Sequence, residues 1–307
     1  MRIFRALDQI EASDRGASAA IGNFDGVHLG HQSVLDLARR AGASLGVLTF
    51  EPHPREFFAP DAPPFRLMNA AARAHRLEKL GVNVLFELPF DAAIIELTPE
   101  RFVAEVLADG LGLSHVVVGA DFCFGKGRLG TAADLERLCH AAGIDVTIAP
   151  LLATETGEVS STRIRRALSD GHPEVATEML GHIHRIEGPV LHGEKRGREL
   201  GYPTANISIT GLHPPKFGVY AVRVEVFDGP HRGEYDGVAS LGIRPMFDGD
   251  QPNLETFIFD FDGDLYGAEI SVGLVKYLRP EAKFDGLPAL IAQMDADSAA
   301  ARDALAK

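Results

Sequence analysis

The sequence predicts an α/β domain followed by an all-β domain that ends in a helix, and three observations carry that reading. Buried-strand runs alternate with helical patterns from Ala19 to Leu168, which implies a parallel sheet wrapped by helices. From His184 the pattern changes to short strand-like runs separated by glycine and proline, as in a small antiparallel barrel. Leu287 to Leu305 then reads as an amphipathic C-terminal helix. Gly171-His172-Pro173 breaks a helix, and a domain boundary near Gly181 divides residues 1–181 from 182–307.

A chain of 307 residues with 46% apolar residues is large enough for two cores. A net charge of −13 argues against nucleic acid or an anionic membrane as the main partner and leaves small phosphorylated molecules open. Against that acidic background basic residues cluster at Lys126 with Arg128, at Arg163 with Arg165 and Arg166, and at Lys195 with Arg196 and Arg198. Each cluster lies near glycine or serine, which suggests local phosphate sites. Cys123 and Cys139 lack CxxC spacing and read as structural thiols in a reducing compartment. With no apolar signal core at the start of the sequence and no run approaching a membrane span, a cytoplasmic location is expected.

In chain order, Ala19 to Phe24 reads as a buried strand and Val34, Leu35, Leu37 and Ala38 recur at helical spacing. Between them lies Gly22-Asn23-Phe24-Asp25-Gly26-Val27-His28-Leu29-Gly30-His31, at a strand-to-helix junction. Unpaired amides and a positive dipole end favour an anion there. Gly26 and Gly30 let backbone approach a polyphosphate, and His28 and His31 can donate to its oxygens. The His-x-Gly-His pattern, with Asp25 ahead of it, resembles the nucleotidyltransferase signature in which such histidines stabilise charge as a nucleophile attacks an α-phosphorus.

Leu45 to Phe50 is a second buried strand, delivering Glu51-Pro52-His53-Pro54 at its end, where ligands collect in open parallel sheets. His53 is either a third phosphate donor or a residue fixed in a rigid Pro-x-Pro loop. Ala70 to Leu80 is helical, Val82 to Leu88 a strand, Pro99 to Leu111 a helix, and His115 to Val118 a strand. Gly125, Gly127 and Gly130 after that last strand satisfy G-x-G-x-x-G, but they lie late in the sheet and five residues past the strand end, so a dinucleotide turn is rejected. P-loop spacing is not met either, and a flexible anion-and-ring clamp is expected. Asp121 either binds ribose or substrate hydroxyls or makes a turn. Val146 to Leu151 is a further strand, and Ser160-Ser161-Thr162-Arg163-Ile164-Arg165 meets a helix N-terminus, where hydroxyls cap the helix or, with Arg165, hold departing phosphates.

GNFDGVHLGH, EPHP, GADFCFG and SSTRIR, in this order, resemble the adenylyltransferase half of bacterial bifunctional riboflavin kinase/FAD synthetases. The resemblance spans roughly Gly22 to Ala167 and implies a Rossmann-like nucleotidyltransferase fold. It implies His28, His31 and Arg165 as catalytic residues, with Gly22, Phe24, Asp25, Gly26, Gly30, His53, Asp121, Ser161 and Thr162 binding ATP and FMN.

In the second half, Phe217 to Phe227, Val238 to Leu241, Leu254 to Phe261 and Glu269 to Leu278 are strand-like. Near its start Gly193, Lys195, Gly197, Arg198, Gly201 and Pro203 form a glycine-rich cationic loop that can fold over phosphates. Thr204 and Asn206 offer hard oxygen ligands suited to Mg²⁺ on nucleotide phosphates. Pro-Thr-Ala-Asn after Gly-Arg-x-Leu-Gly resembles the magnesium-ATP motif of riboflavin kinases over about Ile183 to Asp297. That resemblance implies a riboflavin-kinase-like barrel, Glu255 as the general base, and Arg279 as an ATP- or riboflavin-binding residue. Ser240 and Met246 depart from the kinase pattern, where an amide and a hydroxyl residue are usual. The expected function is phosphorylation of riboflavin to FMN, then adenylylation of FMN to FAD. The alternative is adenylyltransferase activity alone, with the barrel a weakened or regulatory flavin-binding module.

Overall fold

The structure, a computed structural model, describes residues 1–154, 157–192, 202–246 and 249–306. The chain packs as two compact units, Met1–Ala62 with Arg73–Val159, and Pro63–Ala72 with Ser160–Lys307.

In the first unit six strands form one parallel sheet: β1 (Arg2–Phe4), β2 (Ser18–Ile21), β3 (Leu45–Glu51), β4 (Val84–Pro89), β5 (His115–Gly119) and β6 (Asp145–Ala149), in the order β1-β4-β3-β2-β5-β6. Helices α1 (Leu29–Ala38), α2 (Pro54–Phe58), α3 (Ala70–Lys79) and α4 (Ala132–Ala141) fall between strands, as the alternation predicted. Strands covered on both faces read as continuous apolar runs, and Val116, Val117 and Val118 are all fully buried. Phe86, Leu107, Leu111, Leu135 and Cys139 close the core around them. The expected helix from Pro99 to Leu111 is a short α turn, Pro99–Arg101, that continues as a π-spaced helix over Phe102–Gly110. The expected strand over Ala19–Phe24 stops at Ile21, because Phe24 turns into left-handed backbone with φ 52°.

Strand order fixes where ligands can sit. The chain leaves β2 toward β3 and β4 on one side and returns to β5 and β6 on the other, so the order reverses between β2 and β5. A crevice opens at such a switch point, outside the carboxyl ends of the strands.

The second unit begins with α5 (Ser161–Asp170) and α6 (Pro173–Leu180), then six antiparallel strands: β7 (His184–Pro189), β8 (Thr204–Ser208), β9 (Gly218–Val226), β10 (Gly233–Met246), β11 (Gly249–Ile258) and β12 (Glu269–Arg279). Their order is β7-β12-β9-β10-β11-β8, and the Leu191 N–H donates to the Asn206 carbonyl at 2.8 Å across the two edges, curling the sheet into a half-barrel. Alternation sends Ile207, Tyr220, Val222, Leu241, Leu254 and Leu274 to the inner core. It sends Val219, Ala221 and Val238 to the outer face, where Ala301 and Leu305 of α7 (Leu287–Leu305) cover them. The terminal helix has the bounds its sequence pattern gave. Among the described residues, no helix is long and apolar enough to cross a membrane.

Each unit buries a neutral histidine. In the first, the Ser18 hydroxyl donates to the Ala38 carbonyl at 2.6 Å, so His115 Nδ1–H donates to Ser18 Oγ at 2.7 Å and Nε2 accepts from Thr147 Oγ1 at 2.9 Å. Burial, with the nearby Arg40 charge, pushes His115 down to about 4, against a smaller opposing pull from Asp145. In the second, burial chiefly, with His182 and His213 nearby, pushes His184 down to about 3. Above the ordinary value of 6.5 these groups are neutral in both the folded and the unfolded chain. Below it the unfolded chain takes protons that the folded chain refuses, so stability falls as pH drops from about 6.5 toward 4. The expected loss at pH 5.5 is about 1 kcal/mol per histidine. Denaturant midpoints recorded between pH 7.5 and 5 check it, and a flat profile for either unit refutes it.

Candidate functional site

In the first unit, three of the motifs singled out in the sequence leave adjacent strands at the same edge. The turn 22–28 follows β2, Pro52 and His53 follow β3, and Ala120 and Asp121 follow β5. The β2 turn is tightly specified. Phe24 and Val27 take φ 52° and 43°, Gly26 takes φ 85°, and the Val27 N–H bonds the Phe24 carbonyl at 3.1 Å. Left-handed backbone costs a non-glycine residue about 1–3 kcal/mol. Burying the Phe24 and Val27 side chains offsets that by a similar amount.

The turn ends by presenting two imidazoles. His28 caps α1, its Nδ1 accepting from the His31 N–H at 3.3 Å, and the two rings stack at 3.7 Å with 17° between planes. Gly30 makes room for this, since a Cβ at residue 30 would lie 3.1 Å from the His28 ring. His31 Nδ1 is buried with no partner among the described residues. Burial chiefly, and then the neighbouring His28, hold His31 well below 6.5, so it is neutral at pH 7. A buried, unsatisfied ring nitrogen beside a helix N-terminus is the feature expected where an anion binds. Asp25 is buried beside these groups in the same turn.

Of the residues that follow the neighbouring strands, His53 caps α2, with Nδ1 accepting from the Arg55 N–H at 3.0 Å and Glu56 completing a capping box. Asp121 is exposed, with one carboxylate oxygen 2.9 Å from where a Cβ on Gly119 would stand. The G-x-G-x-x-G segment is a hairpin, Cys123–Phe124 against Gly130–Thr131, and so is not a strand-to-helix dinucleotide turn. Lys126 in it pairs with Glu96.

Ser161, Thr162 and Arg165 belong to the second unit, on α5. The capping hydroxyl there is Ser160, which accepts from the Arg163 N–H at 3.5 Å. The Arg165 Nε–H donates to the Phe65 carbonyl, and its guanidinium lies 5.3 Å from the Phe65 ring.

The first unit also holds a charge network that sequence reasoning passed over. Arg73 is 1% exposed and donates to Glu51 at 3.0 Å, to Glu87 at 2.8 Å and to the Asn23 carbonyl at 3.4 Å. Its only signal in the sequence was an arginine inside an otherwise alanine-rich helical stretch.

In the half-barrel, register gathers what the sequence scatters. Asn206 on β8 stands opposite Glu255 on β11, which stands opposite Ser240 on β10, and Thr204 lies two residues from Asn206 on the same face. Glu255 is half-buried and Asn206 buried. Asn206 Nδ2 lies 3.5 Å from Thr204 Oγ1, and Asn206 Oδ1 accepts from Asn253 Nδ2 at 2.8 Å. Asn253, a second residue not found in the sequence, thus orients the Asn206 amide, while its own Oδ1 is buried without a partner among the described residues.

Pro203 is exposed just ahead of Thr204. Gly193, Lys195, Gly197, Arg198 and Gly201 lie outside the described residues, as does the side chain of Met246. Arg279 forms a two-pronged pair with Asp297 at 2.8 and 2.6 Å and so ties β12 to α7. Tyr202 reaches the same helix at Asp295.

The family model for FAD synthetase matches residues 10–163 and that for riboflavin kinase matches residues 180–305. The chain is 41% identical to a bifunctional riboflavin kinase/FMN adenylyltransferase of Pseudomonas fluorescens, over 98% of this chain and 97% of that one. It is 37% identical to a protein of the same name from Listeria monocytogenes, over 97% and 95%. A Streptococcus pneumoniae crystal structure titled as a macrolide-efflux protein shares the fold with TM-score 0.81 at 33% identity, covering 98% of each chain. Stacked imidazoles on a helix-capping turn in one unit, a Thr/Asn/Glu face in the other and both family models lead to one assignment: the chain belongs to the bifunctional riboflavin kinase/FMN adenylyltransferase family.

Proposed function

We propose that this chain makes FAD from riboflavin in two ATP-dependent steps, with residues 182–307 as the kinase and residues 1–181 as the adenylyltransferase. The observation that supports the reading is that each half gathers its own set of polar groups suited to phosphate chemistry, the His28/His31 stack in one and the Thr204, Asn206 and Glu255 face in the other. The substrates are ATP, riboflavin and FMN.

In the kinase step the ribityl 5′-oxygen attacks the γ-phosphorus of ATP, the bond to the β-phosphate oxygen breaks, and ADP leaves. Glu255 takes the hydroxyl proton. Thr204 and Asn206 would hold Mg²⁺ through the hydroxyl and the amide oxygen that share one face of β8; here the amide nitrogen lies toward Thr204 Oγ1 and the oxygen accepts from Asn253, so holding the ion takes a turn of the Asn206 amide. Bound there, the ion would offset the charge of the nucleotide phosphates. Arg279, held by Asp297, lies at the end of β12 and is assigned to substrate contact with Pro203 and the cationic loop.

In the second step an FMN phosphate oxygen attacks the α-phosphorus of a second ATP and pyrophosphate leaves. The turn residues Gly22, Phe24, Asp25, Gly26 and Gly30 shape the cradle, with His53, Asp121, Ser161 and Thr162 as further ligand contacts and Arg165 on the leaving group. Because His31 is neutral at pH 7, it meets the phosphates as an N–H donor, and an anion beside it raises its affinity for a proton.

The adenylyltransferase-only alternative is not favoured, since the riboflavin kinase model matches residues 180–305 and Asn206 and Glu255 stand in register.

Losing one well-aimed donor costs about 10²–10³ in turnover. His28→Ala therefore removes most FAD synthesis and spares FMN synthesis, while Glu255→Gln does the reverse. Chromatography of flavins after incubation with riboflavin or FMN, ATP and Mg²⁺ checks both, and equal loss of both reactions in either variant refutes two separate sites. Gly30→Ala pushes on the His28 ring and is expected to lower FAD synthesis about tenfold or more, again without loss of FMN synthesis, in the same assay.

A further inference from the structure

Arg73 lies under the β2 turn and is placed in an unusual way for a residue that serves stability alone. It is 1% exposed, and its terminal nitrogens reach three separate pieces of chain: Glu51 at the end of β3, Glu87 in β4, and the Asn23 carbonyl after β2. Its Nε is buried with no partner among the described residues. An unsatisfied buried donor costs stability, so the guanidinium is placed to reach these three partners at the expense of Nε. Glu87 is itself braced by Arg5 at 3.1 Å, which fixes the carboxylate that Arg73 leans on.

The Asn23 carbonyl is held twice, by Arg73 Nη1 and by the Thr49 hydroxyl, each at 3.4 Å. That carbonyl lies in the peptide plane whose other end is the nitrogen of Phe24. Pinning the plane fixes the direction from which Phe24 enters its φ of 52°, and with it the turn that delivers His28. Without such a hold, rotation of the plane would let Phe24 relax toward ordinary backbone.

We propose that Arg73, with Thr49, is a positioning residue for FMN adenylylation: it clamps the Asn23 carbonyl and so holds the strained turn that presents His28 and His31. This rests on the adenylyltransferase reading above. Lysine keeps the buried charge but carries a single point donor, so it can stay with the carboxylates and still lose the carbonyl.

The test uses the full chain. In Arg73→Lys, kcat for FAD formation from FMN is expected to fall about tenfold or more, with KM for FMN and ATP within about threefold, because a misplaced site loses rate more than affinity. Riboflavin phosphorylation by the same preparation stays unchanged. Thr49→Val, which removes the other donor without touching any charge, is expected to lower the same kcat about threefold or more. In both variants hydrogen–deuterium exchange quickens over residues 22–31 and not over β5. Wild-type kcat in both variants overturns the proposal. So does a parallel fall of both activities, which marks general loss of folded protein. If the wild-type chain forms no FAD, the adenylyltransferase reading fails, and exchange alone decides the clamp: unchanged exchange over 22–31 in both variants overturns it, and faster exchange there supports it.

Discussion

The first unit depends on one constraint: the chain must turn out of β2 through left-handed backbone at Phe24, Gly26 and Val27 before α1 can begin. Only glycine takes such φ values without cost, and a β-branched residue like Val27 is disfavoured there. The surrounding packing supplies what the backbone loses, because Phe24 and Val27 are almost wholly buried and Asn23 is held from two sides. In exchange the turn stacks His28 on His31 in the first turn of α1, with one ring nitrogen buried and without a partner among the described residues. Strain concentrated at the turn that presents the paired imidazoles is offset by burial next to it.

The half-barrel reaches a comparable result by register. Two-residue periodicity puts Thr204 and Asn206 on one face of β8, and antiparallel pairing sets Glu255 and Ser240 beside Asn206 in a single row. A slip of one residue would send all of them into the apolar core. The inner packing of Ile207, Leu254 and Leu241, which alternate with the site residues, opposes that slip. Hydrophobic burial on one side of the sheet thus holds polar chemistry in line on the other. The same row carries Ser240 opposite Glu255 and Glu255 opposite Asn206.

Much of this was legible in advance. Alternating apolar runs gave the parallel sheet, and the terminal helix fell where Leu287 to Leu305 placed it, because core burial imposes period and length directly on sequence. The His-x-Gly-His turn stood out because glycine and histidine together serve few structural ends. The apolar pattern runs on to Phe24 while the strand ends at Ile21, since an apolar Phe24 looks the same in a strand as in a buried turn, and only its φ tells them apart. His53 reads in the structure as a helix cap, a role its Pro-x-Pro setting left open.

By itself the sequence determined the two fold classes and where the glycine–histidine turn and the Thr-Ala-Asn corner fall, because each is written in residues close together in the chain. Tertiary structure alone decided that the strand order reverses between β2 and β5, that Glu255 faces Asn206, that Arg73 reaches Asn23, and that His115, His184 and His31 are neutral. These are consequences of which distant segments share a sheet or a core. A side chain's partners and its ionisation depend on neighbours that linear order does not place beside it.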